Sequence, residues 1–97
     1  MATYIVLASF TDQGVRNVKQ SPERAKSAIA LGEKLGIKIW DIYWTLGMYD
    51  AVLIVDAPNE EAMTTWALSV SSLGNIRTQT MRAFSADEVN SILAKIP

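Results

Sequence analysis

Residues 38–57 (KIWDIYWTLGMYDAVLIVDA) constrain the fold most, because they hold two apolar runs of strand length joined by a short turn. The turn is centred on Leu46, Gly47 and Met48, and glycine supplies the positive φ that such turns need. This pattern predicts two antiparallel strands folded back on each other. Both runs are too apolar to leave a face in water, so the rest of the chain must cover them.

Two further segments predict strands. Residues 4–10 (YIVLASF) are almost continuously apolar, as in a central strand buried on both faces. Residues 76–84 (IRTQTMRAF) alternate in polarity and are rich in threonine, which is typical of a strand with two different faces.

Three segments carry helix signals. Ser21 and Pro22 predict the N-cap and first residue of a helix that Gly36 ends. Residues 58–61 (PNEE) open a second helix with acidic residues in its first turn. Residues 85–88 (SADE) form a capping-box pattern that begins a short third helix.

The predicted order is strand, helix, strand, strand, helix, strand, helix, within one domain over residues 1–97. Two strand–helix–strand halves with right-handed crossovers give a ferredoxin-like α+β fold, a four-stranded antiparallel sheet in the order 4-1-3-2 with helices on one face. The other face would be bare. Since the strands are apolar on both faces, we expect this face to pack on a second copy as a dimeric α/β barrel.

The composition excludes several classes of function. The chain has no cysteine and no histidine, which removes thiol nucleophiles, imidazole bases and the commonest metal and haem ligands. We therefore expect no metal and no cofactor. A net charge of −1 argues against nucleic acid or an anionic membrane as the partner, while a hydrophobic fraction of 49% favours a homo-oligomer. No secretion signal or apolar membrane span is visible, so we expect a soluble cytoplasmic protein.

Polar residues within the strands are the first candidates for chemistry. An unpaired buried polar group costs about 1–3 kcal/mol, so Asp41, Asp50, Arg77 and Arg82 should form internal ion pairs or line a pocket. Successive side chains of a strand point to opposite faces, which predicts that Trp40 and Trp44 share one side of their strand, opposite Asp41 and Tyr43.

Two other sets of residues have alternative interpretations. The first set lies in and beside the connector, residues 11–20. Either Thr11, Arg16, Lys19 and Arg24 converge on an anionic ligand beside a helix N-terminus, or their side chains are solvated at the surface. A connector of this length in a small domain indicates a lid or pocket rim. The three tryptophans are core and interface anchors or, alternatively, a stacking platform for an aromatic ligand.

The segment TLGMYDAVLIVDAP resembles the GYD domain family, with Gly47, Tyr49 and Asp50 as the signature and Met48 inserted. The segments SLGNIRTQTMRAFSADE and FTDQGVRNVKQSPERA extend the resemblance over most of the chain. It implies a ferredoxin-like, dimeric α/β-barrel fold and no particular activity. If the members of the family share a common site, the resemblance implies that it lies in this chain at Thr11, Gly14, Arg24, Tyr43, Tyr49, Asp50, Arg77, Thr80 and Arg82.

Three hypotheses of function follow, in order of preference. The first is a homo-oligomeric module that binds a small anionic or aromatic molecule between sheet and helices, through Thr11, Arg24, Tyr43, Arg77, Thr80 and Arg82. The second is an assembly module without a ligand. The third is a cofactor-independent isomerase or monooxygenase, with Asp41 or Asp50 as a base of raised pKa and Tyr43 or Tyr49 as the proton donor.

Overall fold

The architecture is a four-stranded antiparallel sheet with strand order β2-β3-β1-β4. A computed structural model describes all residues, 1–97. Its elements are β1 (Ala2–Phe10), α1 (Asp12–Arg16), a 3₁₀ turn (Val18–Gln20), α2 (Ser21–Lys34), β2 (Lys38–Trp44), β3 (Ala51–Ala57), α3 (Glu60–Ser72), β4 (Ile76–Ala83) and α4 (Ala86–Leu93). The predicted ferredoxin-like α+β fold is confirmed, including its strand order.

The hairpin between β2 and β3 forms where the sequence predicts it. Gly47 has φ +143°, a value that L side chains rarely adopt. The N–H of Thr45 donates to the carbonyl of Asp50 at 2.9 Å, and the Thr45 hydroxyl donates to the carbonyl of Tyr49 at 2.6 Å. These two bonds close the base of the turn and fix the strand register.

The hydrophobic core lies between one face of the sheet and helices α2 and α3. Side chains at every second position of β1 and β3 point into it, and Trp66 of α3 is only 1% exposed. The core consists of Tyr4, Val6, Ala8, Ile37, Ala51, Leu53, Val55, Ala57, Met63, Trp66 and Val70.

The opposite face of the sheet carries no helix, and we call it the bare face. Its centre is apolar, with Ile5, Leu7, Val52 and Ile54 half-buried and Met81 40% exposed. Both faces of the two central strands are therefore apolar, as the near-continuous runs in the sequence predict.

The connector between β1 and α2 differs from the prediction. Residues 11–20 form α1 and the 3₁₀ turn rather than an irregular loop. Ser21 is the first residue of α2 and not its N-cap. The N-cap is Gln20, whose side chain makes no capping hydrogen bond. The Ser21 hydroxyl instead accepts a hydrogen bond from Arg24.

A β-bulge changes the predicted faces of β2. The pairing with β3 shifts between Ile39 and Asp41, so Ile39 shares the core side with Ile42. Trp40 points to the bare face, where its indole N–H donates to Asp56. The prediction that Trp40 and Trp44 share one side is wrong, because strict alternation does not survive an inserted residue.

Helix α4 begins with the predicted capping box. The N–H of Glu88 donates to the Ser85 hydroxyl, and the N–H of Ser85 donates to the Glu88 carboxylate. The apolar side of α4 is not covered, since Val89, Ile92 and Leu93 are all exposed. None of the helices has the length and apolar character that crossing a bilayer requires.

Candidate functional site: a cavity between the sheet and two helices

A cavity of about 710 Å³ lies on the core side of the sheet, between α2 and α3. Its floor is made by Val6 and Ala8 of β1 with Ala51 and Leu53 of β3. Fourteen of its 22 lining residues are hydrophobic. The cavity is therefore an apolar compartment with a small number of polar groups, the usual composition of a small-molecule site.

Small side chains leave this space open. Ala8 and Ala51 face Ala25 and Ala28 of α2 across the cavity, where larger residues would fill the volume. The indole N–H of Trp66 donates to the carbonyl of Ala28 at 2.9 Å, which ties α3 to α2 beside the cavity. The alanines create the space, and the tryptophan fixes the helices around it.

Arg24 supplies the one positively charged side chain of the lining. It is half-buried, its Nη1 donates to the carbonyl of Asn17 at 2.8 Å, and its Nη2 donates to the hydroxyl of Ser21 at 3.2 Å. No carboxylate pairs with Arg24, because the two salt bridges of the protein join other residues, Lys26 to Glu23 and Arg82 to Glu88. Of the residues predicted to bind a ligand, Arg24 is the one that lines this cavity.

Aromatic rings lie on two sides of the cavity. Trp44, the last residue of β2, lines it while remaining 49% exposed, and Phe10 lines it at the end of β1. Thr78 of β4 adds a hydroxyl-bearing side chain to the lining. Sequence reasoning missed Thr78 as a lining residue. The signal that could have found this space is the pair Ala8 and Ala51, two small residues on the inward face of otherwise bulky strands.

Three of the predicted site residues lie on the other side of the sheet. Tyr43 pairs with Val52, Asp41 pairs with Ile54 and Arg77 pairs with Ser9, so all three side chains belong to the bare face. Tyr43 is 57% exposed, and Asp41 and Arg77 are also exposed. The sheet separates these groups from the cavity, and they cannot act together with Arg24 on one small molecule bound there.

Asp50 and Tyr49 have structural partners at the end of the hairpin. The Asp50 carboxylate accepts a hydrogen bond from the N–H of Phe10 at 2.8 Å, which ties the hairpin to the end of β1. The Tyr49 hydroxyl donates to the side chain of Gln79 at 2.7 Å. The signature residues of the hairpin thus hold the turn against β1 and β4.

Thr11 is likewise engaged in the fold. It is the N-cap of α1, where its hydroxyl accepts from the N–H of Gly14 at 3.1 Å and donates to the carbonyl of Gly74 at 2.5 Å. Gly14 lies so close to the next segment that an added Cβ would come within 2.0 Å of the carbonyl oxygen of Asn75. Both residues therefore join α1 to the start of β4.

Arg82 and Thr80 lie on β4 outside the lining of the cavity. Arg82 donates to the carbonyls of Thr3 and Ala83, pairs with the Glu88 carboxylate at 3.5 Å and lies over the Phe84 ring at 4.3 Å. The N–H of Ser85 holds the pKa of Glu88 below its ordinary value, with the nearby Arg82 charge adding to the effect. Arg82 thus fixes the approach of the chain to α4.

Asp56 is a polar centre on the bare face that the sequence did not reveal. Its carboxylate accepts a hydrogen bond from the Thr3 hydroxyl at 2.6 Å and one from the Trp40 indole at 2.8 Å. These two bonds, the Thr3 bond first, hold the pKa of Asp56 below its ordinary value. Lys38 lies 3.8 Å above the Trp40 ring. The cluster links β1, β2 and β3, and only the bulge brings Trp40 into it.

The chain contains no group of three or more Asp and Glu side chains placed to hold a metal ion.

Comparison with known proteins identifies the family. The model of the GYD domain matches residues 4–93, which is most of the chain. The chain belongs to the GYD domain family. A curated relative of this GYD domain is the glutamine synthetase and cystathionine beta-lyase binding protein of Thermus thermophilus. It is 33% identical over 84 residues, which span 86% of this chain and 88% of the relative.

Solved structures share the fold of this GYD domain. The crystal structure of FFRP-DM1 superposes with a TM-score of 0.61 at 18% identity, over 87% of this chain and 100% of that one. The leucine response regulatory protein LrpA of Mycobacterium tuberculosis gives 0.57 at 16% identity, over 88% of this chain and 51% of LrpA. TTHA0845 of Thermus thermophilus gives 0.55 at 26% identity, over 89% of this chain and 96% of that one. These likenesses establish the ferredoxin-like architecture and carry no function with them.

Proposed function

We propose that this GYD domain is a self-associating binding module in which each copy holds a small molecule between its sheet and helices. The cavity of about 710 Å³ carries the proposal, because ligand sites typically have volumes of about 300–1,000 Å³ and mostly apolar walls. Trp44 and Phe10 would contact the apolar part of the ligand. Arg24 would bind its polar part.

Self-association is assigned to the bare face. Its apolar centre is flanked by two acids, Asp41 and Asp56, and two bases, Lys38 and Arg77, so the face is neutral overall. A neutral apolar face suits a second copy of itself better than nucleic acid or an anionic membrane. In this proposal Tyr43 and Arg77 contribute to the interface, rather than to the ligand.

The enzyme hypothesis finds less support in the geometry. Asp41 is exposed on the bare face, and Asp50 is occupied by the N–H of Phe10. A general base needs a substrate within reach, and the lining of the cavity contains neither Asp41 nor Asp50. The cavity itself favours ligand binding over an assembly module without a ligand. The proposal keeps the cytoplasmic location that the sequence predicts.

Native mass spectrometry after gentle purification from the natural host tests the proposal. We expect a dimer, or a larger oligomer, that carries one bound small molecule per chain. Thr78→Trp should abolish the adduct because its indole would project into the cavity and obstruct it, whereas Thr80→Trp, on the same face of β4 but outside the lining, should retain it. A homogeneous adduct-free protein, or an adduct that survives Thr78→Trp, would remove the support for a ligand in this cavity.

A second candidate function rests on the Thermus relative. Since that protein is named for binding two enzymes, we propose as the alternative that this chain binds glutamine synthetase and cystathionine beta-lyase through the exposed side of α4. Purified enzymes from the same host, measured by sedimentation velocity, test this directly. Ile92→Glu should abolish co-sedimentation, and Asn90→Glu on the same helix should not. Failure of either enzyme to bind the unaltered chain would remove the alternative.

A further inference from the structure

We infer that the ligand of the cavity is an amphipathic monocarboxylate, with its carboxylate on Arg24 and an aromatic or aliphatic body along the apolar floor. This inference rests on the proposed function and adds the chemical class of the ligand. It comes from the one cation of the lining, its hydrogen bonds and the polarity of the walls around it.

Arg24 is held in place but not neutralised. Its bonds to the Asn17 carbonyl and the Ser21 hydroxyl use two of the five N–H donors of a guanidinium, which leaves three donors free. Both partners are neutral, so the positive charge has no counter-ion in the protein. Ser21 is itself only 7% exposed, and it orients the guanidinium from inside the fold. A half-buried cation with free donors beside an apolar cavity is suited to an anion.

The other charge near the cavity does not cancel Arg24. Glu23 and Arg24 are the two charged residues of the lining. The Glu23 side chain is 75% exposed and pairs with Lys26 at 3.4 Å on the outer surface of α2. Arg24 is therefore the one charged side chain of the lining without an ionic partner, and the other polar side chains of the lining are hydroxyls and amides.

Because Arg24 is the one cation of the lining, the ligand should carry about one negative charge. A guanidinium binds a carboxylate through two parallel N–H···O bonds, whereas a phosphate dianion would need further donors or a second cation. The floor of Val6, Ala8 and Leu53 and the rings of Phe10 and Trp44 form an apolar surface on which an aliphatic or aromatic body would pack. The chemistry of the walls thus matches a single carboxylate on an apolar body.

Two matched pairs of probes test the inference by isothermal titration calorimetry at about pH 7.5, where the carboxyl groups are ionised. The first pair is 2-naphthylacetate and 2-(2-naphthyl)ethanol, and the second is decanoate and decanol. Within each pair, we expect the acid to bind about tenfold more tightly than the alcohol, because a charge-assisted hydrogen bond replaces a neutral one.

Three variants test whether the preference for acids over alcohols depends on Arg24. In Arg24→Gln, the acids should lose about tenfold in affinity and the alcohols should keep theirs, so that unchanged alcohol binding also reports an intact fold. Arg24→Lys keeps the charge but not the planar fork and should restore part of the preference. Arg16→Gln removes an exposed cation of α1 outside the lining and should change nothing.

The outcomes separate the two proposals. If acids and alcohols bind equally, or if Arg24→Gln keeps the preference for acids, the ligand class is wrong while the cavity remains a binding site. If none of the four probes binds, amphipathic molecules do not enter the cavity, and the proposed small-molecule function fails together with the inference.

Discussion

Asp56 shows how one residue couples the fold to pH. The hydrogen bonds from Thr3 and Trp40 lower the pKa of its carboxyl in the folded protein. The unfolded chain then binds more protons than the folded one once the pH falls below the ordinary aspartate value of about 4. The stabilisation by Asp56 is therefore present at neutral pH and is lost as the pH falls through the folded pKa.

Replacing Asp56 should reveal this contribution. We expect Asp56→Asn to lower the free energy of unfolding at pH 7 by about 1 kcal/mol, since the hydrogen bonds lose their ionic acceptor. The decline in stability between about pH 5 and pH 3 should also become shallower. Urea unfolding over this pH range measures both effects. Asp41→Asn is the matched control on the same face, and an acid slope of Asp56→Asn as steep as that of the unaltered protein would contradict the prediction.

At the scale of the element, α4 forms by local signals and packs little on its own chain. Ser85 and Glu88 close its capping box, while all residues of the helix are exposed. Loss of the cap should cost the helix about 1 kcal/mol. For Ser85→Ala we expect about fivefold faster amide hydrogen exchange within α4 and no change in the exchange of β1 and β3. Equal protection of α4 in both proteins would show that packing, rather than capping, holds the helix.

The contrast between α4 and α1 explains what the sequence could predict. The capping box of α4 is a spacing of three residues and can be read directly. Helix α1 has only five residues, and contacts distant in the chain fix it: the Thr11 hydroxyl on the Gly74 carbonyl, and Gly14 against Asn75. Helices this short are not stable by propensity alone. The sequence of the connector therefore indicates a loop rather than a helix.

The candidate site was predictable to the same limited degree. The sequence identifies Arg24, because a cation near a helix N-terminus is visible in it. The sequence also groups Tyr43 and Arg77 with Arg24, because the alternation of side chains along a strand does not show which side of the sheet faces the helices when both sides are apolar. The cavity depends on Ala8 and Ala51 of the sheet lying opposite Ala28 of α2, and that arrangement is a property of the packed fold.

At the scale of the whole molecule, the proposed function assigns a different role to each face of the sheet. The core face, which holds the cavity, would bind the ligand, and the bare face, with Ile5, Leu7, Val52 and Ile54 at its centre, would pack on a second copy. A small domain with an apolar, neutral sheet face lowers its free energy by covering that face. Because the sheet lies between the two surfaces, association and ligand binding should respond to different substitutions.

Ile54→Lys tests that separation. A lysine at the centre of the bare face would place one cation in each half of a symmetric interface, so like charges meet and the apolar contact is lost. We expect light scattering after size exclusion to show an oligomer for the unaltered protein and a monomer for Ile54→Lys, with circular dichroism unchanged. Leu68→Lys, which introduces the same charge on the exposed side of α3, should remain oligomeric.

The Ile54→Lys monomer should still bind 2-naphthylacetate, because Ile54 lies outside the cavity. An unaltered protein that is monomeric at all concentrations, or an Ile54→Lys variant that stays oligomeric, would show that the bare face is not the surface of association.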